Sequence, residues 1–566
     1  MHIDIVPNRD ARPAYLLRES FREGTRVRKR TLANLSALSD AQIFAIRAIL
    51  RGEALTPASE RFEAIASHPH GHVQAVRVAM QRLGLAQLIA TRPCVERDRV
   101  CAMVAARVLA PHTKLATTRW WHTTTLAQEF AVAASDEDEL YGAMDWLLKH
   151  QGSVEKKLAA RHLQAGGLVL YDLSSSYFEG TCCPLAKFGH NRDGRKGKLQ
   201  VNYGLVTDAR GCPVAVAVFE GDTADGETLL PQVRRFKADF GLEHVVIVGD
   251  RGMISQKGID ELQTLSAVDW ITALKSAQIR CLVDAGGLQL GLFDERNLFE
   301  FTHPDYPGER LVACRNAQLA KLRAAKREAL LEATQAELDK VRAMVARKKL
   351  AGRDKIGVRV GRVINRYKVA KHFELTIEDH SLAYRIDPQK VKAEAALDGI
   401  YVLRTPLAPV TMDAADIVRS YKSLANVERA FRSLKTIDLK VRPIHHRLAD
   451  RVRAHILLCM LAYYVEWHMR EAWRTLLFAD EDQATKAMRD PVAPAKRSKA
   501  AQRKARSHTL HGTPAHSFRT LIEELSTIVR NTCRTIKDSA QPTFTIVTQP
   551  SATQQRALTL LDTISV

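Results

Sequence analysis

The chain has 566 residues, and 46% of them are hydrophobic, which is enough for buried cores in roughly three or four domains. Its 84 lysines and arginines outnumber its 63 aspartates and glutamates, so the formal charge is +21 at pH 7. This composition excludes a disordered chain, and the charge favours a polyanionic partner, nucleic acid above all, over a basic surface without a partner.

The nine cysteines include no pair separated by two residues. They fit neither a zinc site nor a disulfide framework, so a reducing cytoplasm is the simplest location. The first ten residues lack the basic segment and apolar core of an export signal, and the most apolar run, 456–465, is only about half as long as a membrane span. We therefore expect a soluble, unexported protein with no membrane partner.

The N-terminal region begins with a predicted β-hairpin, because two extended runs flank Glu23 and Gly24. From 71 to about 163, apolar residues recur at steps of three and four, which predicts helices. We assign 1–163 to one hairpin and helical region. The second run of the hairpin carries four cations, which indicate either DNA contacts or a solvated edge strand: Arg26, Arg28, Lys29 and Arg30.

At 167 the pattern changes to three strands followed by alternating helix and strand, which predicts a mixed α/β sheet. The first strand is predicted to end at Asp172 and the fourth at Asp250, at the kind of sheet edge where sites form. A glycine-punctuated loop follows the first strand. Its cations could grip phosphates beside Asp172 or be solvated: Lys187, Arg192, Arg195, Lys196 and Lys198.

The sheet pattern is then interrupted by a hairpin, a long charged helix at 316–350 and a second hairpin, which together read as an inserted subdomain. A buried strand resumes at 399–405, and a helix follows from Met412. The basic stretch 496–506 is predicted to be a mobile linker, and a helix is expected near 518–533. The predicted divisions are a core first half at 164–275, an insertion at 276–397, a core second half at 398–475 and a C-terminal region at 476–566.

Tyr421, Glu428 and Lys435 recur every seven residues, so on a continuous helix they share one face. Asp172, Asp250 and Glu428 could converge at the sheet edge, where their oxygens suit Mg²⁺ or Mn²⁺. Two ions about 4 Å apart could then activate a nucleophile and stabilise a leaving oxygen at phosphorus. Alternatively, the aspartates only cap turns, Tyr421 belongs to the core and Lys435 is solvated.

The stretches "YDLSSSYFEG", "VGDRGM" and "YKSLANVERAFRSLK" resemble the DDE transposases of bacterial insertion sequences, whose catalytic core has an RNase H-like fold. One branch of this family carries an insertion before its glutamate. It has the pattern Tyr, two residues, Arg, three residues, Glu, six residues, Lys. This chain supplies Tyr421, Glu428 and Lys435 in that register, but Leu424 stands where the arginine is expected. Arg432, one turn beyond Glu428, could substitute.

The resemblance implies that Asp172, Asp250 and Glu428 are catalytic and hold two Mg²⁺ ions, with Mn²⁺ as a substitute. It implies that Tyr421, Arg432 and Lys435 hold the DNA backbone, and that the fold is α/β, an RNase H-like mixed sheet with an inserted subdomain after a mainly helical N-terminal region. The expected partners are double-stranded DNA, as transposon ends and target, and a second copy of the chain in the DNA complex.

The implied function is that of a transposase in the bacterial cytoplasm, associated with the nucleoid. It would bind the inverted repeats of its element, with the region 1–163 recognising the ends, and would then cleave and transfer DNA strands. Two alternatives remain open at this point. The first is a structure-specific RNase H-like nuclease without strand transfer. The second is an inactive DNA-binding protein whose carboxylates are structural.

Overall fold

The computed structural model describes residues 1–9, 12–53, 62–493, 497–509, 512–535 and 543–566. The chain forms two compact units. The first comprises Met1–Pro69 and Ile528–Gln549, and the second comprises His70–Thr527 and Pro550–Val566. The predicted region 1–163 therefore contributes to both units. None of the described helices combines the length and the apolar character that a membrane span requires.

The first unit opens with an antiparallel sheet of β1 (His2–Val6), β2 (Ala14–Glu23) and β3 (Arg26–Asn34), followed by α1 (Asp40–Leu50) and β4 (Phe62–Pro69). The predicted hairpin is confirmed, since β2 pairs with β3 from Leu16↔Asn34 to Glu23↔Arg26. Its turn needs a glycine because Gly24 has a φ of 63°.

The second unit opens with seven helices, as the periodicity predicts. Three of them, α2, α4 and α7, pack against a long helix, Ala449–Ala472, whose side chains are all buried from Ala454 to Met469. The apolar run 456–465 is thus the centre of this packing. The seven helices are α2 (Gly71–Arg82), α3 (Leu85–Ile89), α4 (Val95–Leu109), α5 (Lys114–Trp120), α6 (Leu126–Glu129), α7 (Glu137–Lys149) and α8 (Gln151–His162).

A central sheet of eight strands follows. In spatial order its strands are Leu298–Phe301, Arg310–Arg315, Ile400–Thr405, Val268–Ala273, Val245–Val248, Leu168–Tyr177, Gln200–Thr207 and Pro213–Phe219, which are strands 10, 11, 14, 9, 8, 5, 6 and 7 along the chain. The fifth strand is parallel to the eighth, and the eighth to the ninth, while the other pairs are antiparallel. The fold is therefore the predicted mixed α/β, RNase H-like sheet. Its first part comprises β5 (Leu168–Tyr177), β6 (Gln200–Thr207), β7 (Pro213–Phe219), α9 (Asp225–Ala238), β8 (Val245–Val248), α10 (Gln256–Gln263) and β9 (Val268–Ala273).

The first hairpin that the sequence places in the insertion belongs to the central sheet instead. After α11 (Ser276–Asp284) and α12 (Leu292–Glu295), β10 (Leu298–Phe301) pairs with β11 (Arg310–Arg315), and β11 pairs in turn with the strand Ile400–Thr405. The reason is burial: Leu311 to Cys314 are fully buried and complete the apolar surface of the sheet.

The inserted subdomain proper comprises α13 (Ala317–Ala346), α14 (Arg353–Tyr367), β12 (Phe373–Ile377), β13 (Leu382–Ile386) and α15 (Pro388–Ala395). The second hairpin is confirmed, whereas α14 was not predicted. The subdomain has its own hydrophobic core, in which Leu338 and Val341 of α13 pack with Ile356 and Val360 of α14. The chain then returns to the central sheet as β14 (Ile400–Thr405).

The last part of the chain corrects two predictions. The basic stretch is not wholly a linker: Lys496 lies outside the described residues, but Lys499–Lys504 forms a helix in which Lys504 is buried and donates hydrogen bonds to the carbonyls of Arg474 and Ala479. The helix expected near 518–533 ends at Ser526, and a strand begins at Val529. The elements are α16 (Ala414–Lys422), α17 (Leu424–Arg432), α18 (Ala449–Ala472), α19 (Gln483–Met488), α20 (Lys499–Lys504), α21 (Phe518–Ser526), β15 (Val529–Thr535), β16 (Phe544–Val547) and α22 (Ala552–Leu561).

β15 returns the chain to the first unit by pairing with β4 on one side and β16 on the other. The first unit is therefore built from both ends of the sequence. Nothing in the hydrophobic period of 529–535 predicts this pairing, because a strand pattern does not name its partner.

Candidate active site

The sequence predicts that Asp172 ends its strand, but in the structure it lies within β5. β5 continues to Tyr177 because β6 pairs with it along its whole length, from Leu170↔Thr207 to Tyr177↔Gln200. On the other side of β5, β8 pairs only as far as Leu170↔Val248 and then ends. Asp172 and Asp250 each stand two residues beyond this last pair, so both carboxylates lie where β8 leaves β5.

The stretch Tyr421–Lys435 is predicted as one helix but has three parts. α16 ends at Lys422, α17 begins at Leu424, and a π-helical turn occupies Ser433–Ile437. At the first break, the Ser423 hydroxyl donates to the carbonyl of Ser420, in competition with the helical backbone bonds. The π turn winds more widely than an α-helix, so Lys435 is not in simple seven-residue register with Glu428.

α17 presents Glu428 because its opposite face is buried. Val427, Ala430 and Phe431 are buried as α17 packs on β5, and the Phe431 ring centroid lies 5.8 Å from that of Tyr203 on β6. Glu428 is exposed on the other side of the helix. The amphipathic period of α17 therefore fixes the direction of this carboxylate.

A turn between β6 and β7 holds α17 in place. Asn426 donates a hydrogen bond from Nδ2 to the carbonyl of Ala209, at 3.1 Å. In the same turn Gly211 has a φ of 89°, and a Cβ there would lie 2.7 Å from the Asn426 Cβ. The turn thus needs glycine both for its backbone conformation and for the close approach of α17.

The three carboxylates influence one another electrostatically. Burial raises the pKa of Asp172 to about 7, the Leu173 N–H and Arg192 oppose the rise, and the negative charges of Asp250 and Glu428 add to it. Asp250 also caps its own turn, since its Oδ1 accepts from the N–H groups of Gly252 and Met253 at 2.9 and 2.8 Å. Asp250 thus caps a turn, as the alternative reading expects, and also contributes to the acidic cluster.

Tyr421 belongs to the same acidic surroundings. Burial raises the pKa of Tyr421 to about 12, and the charges of Asp250 and Glu428 raise it further while Arg251 lowers it. Its hydroxyl is therefore a protonated donor at neutral pH. The core interpretation of Tyr421 is only partly right, because the ring is mostly buried but lies within the field of two of the three carboxylates.

The donor set suits a hard divalent cation, since three carboxylates without a built-in counter-charge repel one another. Their oxygens are not drawn together in this structure. Among the described residues, one group of three metal-ligand side chains has all its ligand atoms within 4.8 Å of one another. It consists of His162, Cys212 and His468, and the sequence did not predict it. The carboxylates of the candidate site would have to approach one another further to share ions.

Three of the seven cations predicted to contact DNA near the site form ion pairs with the protein. Lys435 donates from Nζ to Asp193 Oδ1 at 2.9 Å and is nearly buried. Arg192 pairs with Asp225, and Lys198 pairs with Glu179 at 3.1 Å. The remaining predicted cations of this region are exposed: Lys187, Arg195, Lys196 and Arg432.

Asp193 was missed by the sequence reasoning. It accepts from Lys435, from Arg442 and, at 3.0 Å, from the Tyr177 N–H, so it ties the glycine-punctuated loop to β5 and to the π turn. Its side chain is 2% exposed. No sequence signal marks it, because its cationic partners are more than 240 residues away.

The predicted cations of the first unit also have partners. Arg28 pairs with Glu23 at 2.7 Å, Lys29 with Asp4 at 2.9 Å and Arg30 with Glu19 at 2.9 Å. All three are exposed, as is Arg26. These exposed pairs contribute little to stability and would exchange readily for phosphates. The hairpin is therefore an edge strand with accessible cations, in line with both open interpretations.

Leu424, in the place of the expected arginine, is the first residue of α17 and is half-buried. Its surroundings are neither a closed core nor open solvent. Arg432, at the opposite end of α17, is exposed and one turn from Glu428. The structure thus leaves Arg432 as an accessible cation near the carboxylates.

A Transposase DDE domain model matches residues 172–465, just over half of the chain. The chain therefore belongs to the DDE transposases, a family of DNA-cutting enzymes that use divalent metal ions. Residues 3–60 match the model of the N-terminal domain of the IS1634 family transposases.

Two solved structures show weaker similarity. The piggyBac transposase synaptic complex with hairpin DNA is 9% identical with a TM-score of 0.32, covering 80% of this chain and 76% of that one. The Mos1 transposase paired-end complex with the left transposon end is 12% identical with a TM-score of 0.14, covering 34% of this chain and 62% of that one. Both scores are too low for a residue-by-residue comparison. No curated protein matches the sequence.

Proposed function

We propose that this enzyme binds the inverted repeats of its insertion sequence, cleaves the 3′ strand by hydrolysis and joins the freed 3′ hydroxyl to target DNA. Hydrolysis and joining are the same displacement at phosphorus with different nucleophiles, so one site can serve both. Asp172, Asp250 and Glu428 are the catalytic residues of this proposal. The observation that carries it is that Asp172 and Asp250 both stand two residues beyond the last pair of β5 and β8, near enough to the exposed Glu428 of α17 for the charges of Asp250 and Glu428 to raise the pKa of Asp172.

The three carboxylates would hold two Mg²⁺ ions, with Mn²⁺ as a substitute. When bound, the ions supply activation of the nucleophile and stabilisation of the leaving oxygen. The protein's part is to keep Asp172 in a buried place, where ionisation is favourable only with a counter-charge. The turn holds the backbone of Asp250 and the packing of α17 holds that of Glu428, while the three carboxylates would approach one another to share the ions.

Tyr421 and Arg432 are proposed to contact the DNA backbone next to the site. The protonated Tyr421 hydroxyl can donate to a phosphate oxygen, and the exposed Arg432 can form a charge-assisted bond. Lys435 must leave Asp193 to reach a phosphate. The exposed loop cations Lys187, Arg195 and Lys196, together with Arg192 and Lys198 after exchange of their pairs, extend the same surface.

End recognition is proposed to lie in residues 1–163, since Arg26, Arg28, Lys29 and Arg30 form an exposed basic strand. The catalytic carboxylates meet every phosphodiester alike and cannot choose a sequence. A second copy of the chain would bring the other end of the element into the complex. The cellular place of this reaction would be the bacterial cytoplasm, at the nucleoid.

The test compares nicking with binding in Asp172→Asn, Asp250→Asn and Glu428→Gln. Each variant should lose nicking by at least roughly 100-fold with Mg²⁺ while its affinity for element ends stays within a few fold. Asp260→Asn is the matched control, because Asp260 is an exposed carboxylate on α10. Normal nicking by any of the three variants would remove that residue from the site.

Strand transfer is measured separately with precut ends that carry a free 3′ hydroxyl. The wild-type protein should join these ends to a target plasmid, and the three variants should not. A protein that nicks but never joins would be a nuclease of the same fold, and the transfer half of the proposal would be wrong.

A further inference from the structure

A basic groove lies between α16 and α17 on one side and residues 482–493, Arg497 and Ser498 on the other, with a volume of about 1080 Å³. Among the described residues that line it, six carry positive charge and only three carry negative charge. None of the six cations is among the DNA contacts that the sequence predicts. They are Arg419, Lys422, Arg429, Lys486, Arg489 and Arg497.

Most of these cations have no acidic partner. Arg419 pairs with Asp416 at 2.6 Å, but among the described residues the other five form no ion pair with a carboxylate within 4 Å. Lys422 donates to the carbonyl of Pro491, and Arg429 lies 3.5 Å from Asn426 Oδ1. The charges are thus held by neutral groups, which leave them uncompensated.

The three acidic residues of the groove are occupied elsewhere. Asp416 is taken by Arg419, Asp482 accepts from the Thr485 N–H at 3.0 Å as the cap of α19, and Asp490 accepts from the Val492 N–H at 2.8 Å. The oxygens of Asp482 and Asp490 thus stabilise backbone turns, and Asp416 compensates only Arg419. The excess charge of the groove is therefore built in.

The cations repel one another across the groove. Burial lowers the pKa of Lys486, and Arg429 and Arg474 lower it further, while Asp480 and Glu471 oppose them. The two facing walls of the groove both carry positive charges, and a polyanion that fits between the walls would reduce their repulsion. The spacing of repeated negative charge along a phosphodiester backbone meets this requirement.

The groove adjoins the candidate active site through α17. Arg429 follows Glu428 directly in sequence, so the two side chains are separated by about 100° around the helix axis. Glu428 serves the carboxylate cluster while Arg429 lines the groove. A DNA strand held at the carboxylates could therefore continue around α17 into the groove.

We propose that this groove binds the sugar–phosphate backbone of the DNA that is cut at Asp172, Asp250 and Glu428. The proposal rests on the proposed function, because it takes that DNA as the ligand. It assigns phosphate contacts to Arg429, Lys486 and Arg489, and it gives residues 482–493 a role in holding substrate.

The test uses the full-length Lys486→Ala/Arg489→Ala variant and a short fluorescent DNA duplex of fixed sequence, with binding measured over a series of salt concentrations. Losing two phosphate contacts should lower the slope of log affinity against log salt by about 1.8 and weaken binding at least tenfold at low salt. The control is Lys340→Ala/Arg342→Ala on α13, which removes the same charge from exposed, ion-paired residues. Its slope should match that of the wild type.

Thermal melting shows first that the groove variant is folded. A folded variant whose salt slope equals that of the control overturns the proposal. So does a competition in which poly-glutamate displaces the duplex from the wild type but not from the variant at equal charge concentration, since the groove would then take an acidic protein.

The Asp172→Asn variant separates this proposal from the proposed function, because it should keep the full salt slope and lose nicking. If Asp172→Asn still nicks, the assignment of the active site fails, yet the slope of the groove variant still decides the groove. If only the slope is unchanged, the groove fails and the active site stands.

Discussion

Two acidic clusters in the second unit contain a buried carboxyl whose pKa lies near 7, yet the clusters differ in their counter-charge. In the first, Asp172 lies beside Asp250 and Glu428, and the nearby Arg192 is already paired with Asp225. In the second, Glu466 of α18 accepts a hydrogen bond from Arg470. Burial raises the pKa of Glu466 to about 7, the negative charge of Asp438 adds to this rise, and the positive charge of Arg470 opposes it.

The second cluster has its counter-charge within the protein, in Arg470. Arg470 donates to both Glu466 and Asp438, at 2.6 Å each, and Ser433 Oγ lies 2.8 Å from Glu466 Oε1 and 2.9 Å from Asp438 Oδ2. This network attaches the π turn, which comes directly after α17, to helix α18. The comparison teaches that a raised pKa alone does not mark a functional site: the first cluster is distinguished by a counter-charge that the protein does not provide.

The largest expected effect comes from breaking the second cluster. Glu466→Ala removes one of the two carboxylates that the half-buried Arg470 binds, and it should lower the free energy of unfolding by about 3 kcal/mol. Glu471→Ala on the same helix is the control, since Glu471 forms an exposed pair with Arg474 and should cost less than about 1 kcal/mol. Urea unfolding measures both. Equal effects of the two changes would mean that the buried network does not anchor the π turn.

These two clusters also show what the sequence could predict. The helical pattern placed Glu428 on a helix, and the strand patterns placed Asp172 and Asp250 at one edge of the sheet, because periodicity reports which residues are buried. Glu466 was not noticed, since it lies inside an apolar run and its partners Ser433 and Asp438 are about 30 residues away. Periodicity reports local burial but not which distant residues meet.

Other misses have the same cause. The strand that begins before Asp172 does not end there, because β6 supplies hydrogen bonds as far as Tyr177, and pairing partners are tertiary information. The break at Ser423 depends on one hydroxyl that bonds back to Ser420. In the sequence, the hairpin of β10 and β11 resembles part of the insertion. Its place in the central sheet depends on the pairing of β11 with β14, which the sequence does not reveal.

The second prediction concerns the cluster without a counter-charge. Mg²⁺ that binds only the folded protein should raise its stability, by about 2.7 kcal/mol at a concentration one hundred times the dissociation constant. Asp172→Asn should show little of this gain, because it removes one proposed ligand. Melting temperatures with and without Mg²⁺ give the comparison. Glu466→Gln should retain the gain, and an equal gain in the wild type and Asp172→Asn would place the ion elsewhere.

The smallest effect is a gain in stability from Asp172→Asn in metal-free buffer. The folded pKa of Asp172, about 7, exceeds the usual value of 3.8, so the folded state holds a proton more tightly than the unfolded state. Stability is therefore lost as pH rises from about 4 to 7, and it stays low above 7. At pH 8 the variant should be more stable than the wild type by about 1–2 kcal/mol.

Unfolding curves at pH 5 and pH 8 check this prediction. The difference between Asp172→Asn and the wild type should be larger at pH 8 than at pH 5. A variant that is less stable than the wild type at pH 8 would mean that the Asp172 carboxylate already has its counter-charge inside the protein, as Glu466 has.

The central claim is that Asp172 ligates the catalytic metal, and the most direct test is the nicking activity of Asp172→Cys with Mg²⁺ and with Mn²⁺. A thiolate is a poor ligand for Mg²⁺ but a better one for Mn²⁺. If Asp172 ligates the metal, Asp172→Cys should not nick DNA with Mg²⁺ but should nick it measurably with Mn²⁺, while the wild type is active with both. Nicking by Asp172→Cys with Mg²⁺ at the wild-type rate would contradict the central claim.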